Sequence, residues 1–153
     1  MTIDVLPTIA ELTGSDLPTG EIDGLSIVSL VRGEKLARSP HEALFFWYHD
    51  RQLQAMRMGQ WKLHFPHGYR SLQGRVAGNN GLPAKYTYKI PIELSLFDLR
   101  SDPGETSNVA SKHPKVTARM LALAEQAKAR LGDTLTDIPG SAIRGPGKLS
   151  ALE

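Results

Sequence analysis

Leu44-Phe45-Phe46-Trp47-Tyr48-His49-Asp50-Arg51-Gln52-Leu53-Gln54-Ala55-Met56-Arg57-Met58-Gly59-Gln60-Trp61-Lys62-Leu63-His64-Phe65 is the stretch that decides the fold. Its first five residues are aromatic and β-prone, a run suited to a buried strand. His49 to Arg51 reads as a turn. Leu53 to Met58 then alternates apolar and polar, Gly59-Gln60 supplies a tight reversal, and Trp61, Leu63 and Phe65 fall on one face of a third strand. Three strands in immediate succession with short reversals form an antiparallel meander.

Downstream, the pattern dissolves between Pro66 and Ile92 into a Gly-rich, basic segment too long for an ordinary hairpin connection. Leu94 to Leu99 restores a strand. Asp102-Pro103-Gly104 follows, with proline and glycine at the two central positions of a type II turn, Gly104 taking the positive φ. Pro114 opens the clearest helix, whose apolar stripe runs Val116, Met120, Leu123, Ala127 and Leu131, with Lys115, Arg119, Lys128 and Arg130 on the other face. Gly132 closes it, and the Pro- and Gly-rich residues beyond read as an extended or disordered tail.

Upstream, Thr2 is positioned to cap a short helix to about Leu12, with Ile3, Leu6, Ile9 and Ala10 on one face and Gly14 as the stop. Pro7 requires a kink or a regular helix that starts near it. A second helical turn spans Ser26 to Val31 and ends at Gly33. The fold class is therefore α+β: a small antiparallel sheet of about four strands covered by one long amphipathic helix and preceded by short helices.

The 153 residues suffice for one compact domain with a core. Eighteen basic against sixteen acidic residues give a net charge of +2, too small a surplus to indicate nucleic acid. No apolar run approaches the roughly 20 residues that span a bilayer, and no signal-like segment opens the chain. Without cysteine, disulfides and thiolate metal sites are excluded.

Three stretches together resemble the C-terminal third of the formylglycine-dependent sulfatases, members of the alkaline-phosphatase-like superfamily. The first is Ile3-Asp4-Val5-Leu6-Pro7-Thr8 through Leu12-Thr13-Gly14, then Leu17-Pro18, Asp23-Gly24-Leu25-Ser26 and Leu30-Val31-Arg32-Gly33. The second is His41-Glu42-Ala43-Leu44-Phe45-Phe46 with Ala55-Met56-Arg57 and Trp61-Lys62-Leu63. The third is Leu96-Phe97-Asp98-Leu99 with Asp102-Pro103-Gly104-Glu105-Thr106 and Asn108. The likeness covers residues 2 to 131.

It implies that residues 1–36 end a large α/β catalytic domain, that 37–132 form the small C-terminal subdomain, and that 133–153 are tail. It further implies a parent enzyme that hydrolyses aryl or sugar sulfate esters with a formylglycine made from a C/S-x-P-x-R motif and with a calcium ion. The implied location is periplasmic or extracellular. This chain contains no C/S-x-P-x-R and no convincing cation-ligand cluster, so no cofactor of its own is expected, and alone it is expected to be inactive.

Five residues are candidates for contacting a sulfated substrate. The resemblance places His41 where some sulfatases direct a histidine toward the pocket. His64, His67, Tyr69 and Arg70 gather at the start of the long segment, where a cationic, aromatic loop suits an anionic sugar. A metal role for His64 and His67 is disfavoured because they sit three apart on a segment leaving a strand, with proline between them. Arg57 and Lys62 read as a solvated sheet face or as partners of acidic residues, Trp47 and Trp61 as core, and Asp102 to Glu105 as a structural turn.

The expected partners are the missing N-terminal catalytic domain and a sulfated small molecule or glycan, with neither nucleic acid nor membrane. Two alternatives lack catalysis. One is a stand-alone module binding an anionic glycan through Arg70, Arg75, Lys85, Tyr86 and Lys89. The other is homo-oligomerisation through the apolar faces of residues 3–33.

Overall fold

A computed structural model describes residues 1–145 and resolves them into two units, residues 1–42 and the residues from 43 onward. The part of the expected tail at 146–153 lies outside the described residues.

In the first unit a 3-10 turn (Thr2–Asp4) leads into helix α1 (Val5–Thr13), and helix α2 is the short Val28–Val31. The regular helix begins later than expected, with Asp4 rather than Thr2 at its N-cap position. Pro7 is thereby the third residue of α1, within the first turn, where no N–H has a helical partner to lose. Gly14 ends α1 at φ 67°, and Gly33 follows α2 at the same value.

The apolar face of α1 is left largely open by this unit. Ala10 is buried, but Ile3, Leu6 and Ile9 are each about half exposed, at 47%, 50% and 52%. The inward side instead carries Asp4 and Thr8, which hold the 24–27 segment. Leu25 N–H donates to Asp4 Oδ1 at 3.0 Å and Ile27 N–H to Thr8 Oγ1 at 3.1 Å. Gly24 permits that approach, since a Cβ there would lie 1.8 Å from the Ile3 carbonyl oxygen.

The second unit is built on a four-stranded antiparallel sheet ordered β1 (Leu44–Tyr48), β2 (Gln52–Met58), β3 (Trp61–His64), β6 (Ser95–Asp98). Phe45, Met56, Leu63 and Leu96 line up across the strands in one row. Met120 and Ala124 of helix α3 (Pro114–Leu131) pack on Met56, Leu63 and Leu96 with Leu53 and Phe65, and all of these are buried. Trp47 and Trp61 pack at the margin of this core, as expected of them. Truncating Leu63 or Met120 to alanine would cost about 2–5 kcal/mol.

Four expectations change in this unit. The segment from Pro66 to Ile92 is not loop throughout: β4 (His67–Ser71) and β5 (Thr87–Ile92) pair as a separate antiparallel ribbon, with a register shift between Tyr69 and Ser71. Gly68, Pro91 and the charged residues on both strands hid the alternation that would have marked it.

The turn after β6 also differs: the left-handed residue is Glu105, at φ 55°, and not Gly104. The Asp102 carboxylate organises it by accepting the Thr106 and Ser107 amides, both at 2.8 Å. Those converging amides hold its pKa below the usual 3.8.

Lys128, expected on the outer face of α3, is buried at 6% exposure. Its Nζ sits 5.2 Å from the Phe65 ring centroid and 3.1 Å from Glu125 Oε1. Residues 133–142, expected to trail as tail, turn back onto the sheet and helix. Buried Asp133 accepts the Leu53 amide through Oδ1 at 3.0 Å and the Thr136 hydroxyl through Oδ2 at 2.7 Å. Ser141 N–H and Ala142 N–H donate to the Ala129 and Arg130 carbonyls. These two carbonyls belong to the last turn of α3, which has no helical donors for them.

Candidate functional site

Alternation along β3 sends Lys62 and His64 to the face opposite the α3-covered core, Lys62 in a row with Leu44, Arg57 and Phe97 and His64 in a row with Phe46, Ala55 and Ser95. Two basic or titratable side chains thus share one face of a short central strand. The turn after β6, the neighbouring strand, brings Glu105 to them. Glu105 Oε1 accepts from Lys62 Nζ at 2.6 Å, and Oε2 accepts from His64 Nε2 at 2.8 Å. Lys62 Nζ also lies 5.7 Å from the Phe46 ring centroid.

Two further rings pack against His64. Phe97 meets its ring edge-on at 5.7 Å and His67 stacks on it at 5.8 Å with a 15° interplanar angle. Burial is the main cause that lowers its pKa below 6.5, ahead of the opposing hydrogen bond to Glu105. The neutral ring with its proton on Nε2 leaves Nδ1 as an acceptor, and that atom is buried with no hydrogen-bond partner among the described residues. Burial alone would raise Glu105, but the hydrogen bonds from Lys62 and His64 outweigh it and bring its pKa below 4.5.

The sequence-predicted residues divide into three places. His64 and His67 are neighbours despite Pro66 between them, and His67 Nδ1 donates to the Phe65 carbonyl at 2.7 Å. Tyr69 and Arg70 lie along β4, where Tyr69 is 41% exposed and the Arg70 guanidinium covers the Tyr86 ring at 4.6 Å. His41 belongs to the first unit, where its Nε2 donates to buried Asp4 Oδ1 at 2.7 Å. Burial would raise the pKa of Asp4, yet the hydrogen bonds it accepts from the Leu25 amide and the His41 ring work to lower it. Glu105, the residue that organises Lys62 and His64, was read as part of a structural turn only.

The match that decides the family covers residues 39–143, which fit the model of the C-terminal region of aryl-sulfatase. The chain belongs to that family. Human arylsulfatase A is 33% identical over 156 residues, covering 94% of this chain and 29% of the relative. Mouse steryl-sulfatase is 35% identical, covering 84% and 22%. A delta 4,5-hexuronate-2-O-sulfatase of Bacteroides thetaiotaomicron is 30% identical, covering 80% and 22%. A solved structure from work on glycosaminoglycan metabolism in Bacteroides thetaiotaomicron superposes with a TM-score of 0.57 at 25% identity, over 83% of this chain and 24% of that one. The chain therefore spans under a third of the length of these sulfatases.

The resemblance implied calcium and formylglycine in the parent enzyme. Among the described residues no group of three or more His, Cys, Asp or Glu side chains could hold a metal ion, and there is no cysteine. Ser101-Asp102-Pro103-Gly104-Glu105 comes within one residue of S-x-P-x-R, but Glu105 stands where arginine is required and is committed to Lys62 and His64. The described residues do not fit either group. No helix among the described residues is long and apolar enough to cross a membrane.

Proposed function

We propose that this chain is the C-terminal part of an enzyme that hydrolyses sulfate esters of aryl or sugar substrates, giving the alcohol and sulfate. The observation that carries this reading is the family match over residues 39–143 in a chain that spans 29% of arylsulfatase A. Its contribution is stability and one wall of the substrate pocket. The nucleophile and the calcium site belong to the preceding catalytic portion, which is also the main partner.

The half-exposed Ile3, Val5, Leu6, Ile9 and Leu12 support such a neighbour, because an apolar helix face of this extent is costly in water. His64, His67, Tyr69 and Arg70 are the wall residues, with Glu105 fixing His64. His41 is bound to Asp4 and contributes, on this reading, by holding its own segment. The same family assignment supports a periplasmic or extracellular location.

The test is a sulfate-release assay on 4-nitrophenyl sulfate and on sulfated sugars. The protein read continuously from upstream should release sulfate, and the 153-residue chain alone should not. Release by the chain alone, or none by the continuous protein on any sulfate ester, overturns the reading.

A further inference from the structure

From Pro66 to Ile92 the sequence holds Arg70, Arg75, Lys85 and Lys89 and no aspartate or glutamate, whereas the remainder of the chain is net acidic. None of these four cations has a carboxylate within ion-pair distance among the described residues. Arg70 lies over Tyr86, and Arg75 Nε donates to Thr87 Oγ1 at 2.8 Å. A protein surface normally intersperses its charges, so a segment with cations alone marks a surface with an anionic partner.

The β4–β5 ribbon gives these charges an arrangement. Tyr86 and Tyr88, two residues apart, project to the same side, with ring centroids 6.1 Å apart and planes tilted by 54°. The Arg70 guanidinium caps Tyr86 on that side, and Tyr88 is 64% exposed. Lys89 sits in the irregular part of the ribbon at φ 58°, and a Cβ at Gly68 would lie 3.2 Å from its Cα. Such irregularities re-aim a side chain out of the regular alternation.

We propose that the β4–β5 ribbon is a binding surface for a linear sulfated polysaccharide, with Arg70, Lys85 and Lys89 taking sulfate groups and Tyr86 and Tyr88 taking sugar faces. A guanidinium lying over a ring still has N–H groups to offer an oxyanion. Tilted, partly exposed tyrosine rings suit the puckered C–H faces of pyranoses. They form no parallel slot for flat bases, which favours a glycan over a nucleic acid. A strand of five or six residues is ~17–20 Å long, enough for several sugar units and several charges at once. This deepens the sulfatase reading, which it uses only for the kind of anion carried by the partner.

The test uses the 153-residue chain with dextran sulfate, unsulfated dextran and a single-stranded oligothymidylate of matched charge. The chain should bind dextran sulfate, fail to bind dextran, and lose affinity as salt rises. The triple variant Arg70→Ala, Lys85→Gln, Lys89→Gly should weaken binding about tenfold or more at an unchanged thermal midpoint. Glycine tolerates φ 58° at position 89, and Lys85→Gln lies outside the strands. That single variant therefore keeps the test valid if the triple variant unfolds, and it should weaken binding two- to threefold. Undiminished binding by these variants, or oligothymidylate binding as tight as dextran sulfate, overturns the proposal. Sulfate release by the continuous protein is a separate readout. Ribbon binding without release sinks the sulfatase reading alone, and release without ribbon binding sinks this one alone.

Discussion

Glu105 stands in a left-handed backbone position and from there places Oε2 2.8 Å from Nε2 of His64, 41 residues earlier in the chain. Its other oxygen holds Lys62, so one carboxylate ties the turn after β6 to two successive outward positions of β3. A residue under backbone strain persists when its side chain repays the cost.

Glu105 variants separate those two effects. Glu105→Ala should lose about 1–2 kcal/mol, a figure discounted because the three side chains are partly exposed. Glu105→Gly should lose less, since glycine accepts φ 55° without strain although it removes the same pair. Thermal melts of the two variants check the order, and a glycine variant less stable than the alanine one would contradict it.

Acid should destabilise the second unit in two steps. The pKa of His64 is depressed in the folded state, so the unfolded chain takes up this proton first on acidification. The contribution of His64 is therefore complete above about pH 6.5 and is lost as pH falls through its folded value. Glu105 is also depressed, so its contribution is present above about pH 4.5 and is lost below that. Urea melts from pH 7.5 to 4 should show stability falling already between pH 6.5 and 5, and His64→Gln should flatten that upper part. A wild-type profile flat above pH 5 would contradict this account of His64.

Residues 133–142 should behave as part of the fold. Asp133→Ala leaves the Leu53 amide and the Thr136 hydroxyl without their acceptor and removes the carboxylate 3.6 Å from buried Lys128. A loss of about 3 kcal/mol is expected. Ending the chain after Gly132 should cost at least as much. Hydrogen exchange at the Leu53 amide reads the effect directly, and unchanged protection in either variant would count against it.

The sheet and the long helix were legible because Leu53 to Phe65, Leu94 to Leu99 and Val116 to Leu131 carry clean periods of two or about 3.6. The β4–β5 ribbon was not, because its stability comes from pairing and not from an apolar face. Its strands contain Gly68, Arg70, Lys89 and Pro91 where a pattern would need alternation. Lys128 was misplaced for a related reason: a helical wheel assigns a lysine outward, and only Phe65, Glu125 and Asp133 make the inward position tolerable.

Of the candidate site, the residue types were legible and their grouping was not. His64 and His67 were named together, yet Glu105 was missed because its role depends on β3 lying beside β6. One signal was available: Lys62 and His64 two apart on a central strand call for a carboxylate, and the turn after the neighbouring strand carries one. His41 was drawn toward a substrate by resemblance, and its Nε2 is bound to Asp4.

Gly24 tests the first unit. Gly24→Ala places a Cβ 1.8 Å from the Ile3 carbonyl oxygen, so the 24–27 segment must leave Asp4 and Thr8. Amide exchange at Leu25 and Ile27 should rise by at least about tenfold, the equivalent of about 1.4 kcal/mol of local protection. Exchange at wild-type rates would show that the segment is held otherwise.

The most direct test of the sulfatase assignment is the coding sequence upstream of Met1. An open frame that continues through a C/S-x-P-x-R motif into these 153 residues is the expected result. An in-frame stop codon and a ribosome-binding site immediately before Met1 would contradict it, leaving this polypeptide without the catalytic portion on which the proposed hydrolysis depends.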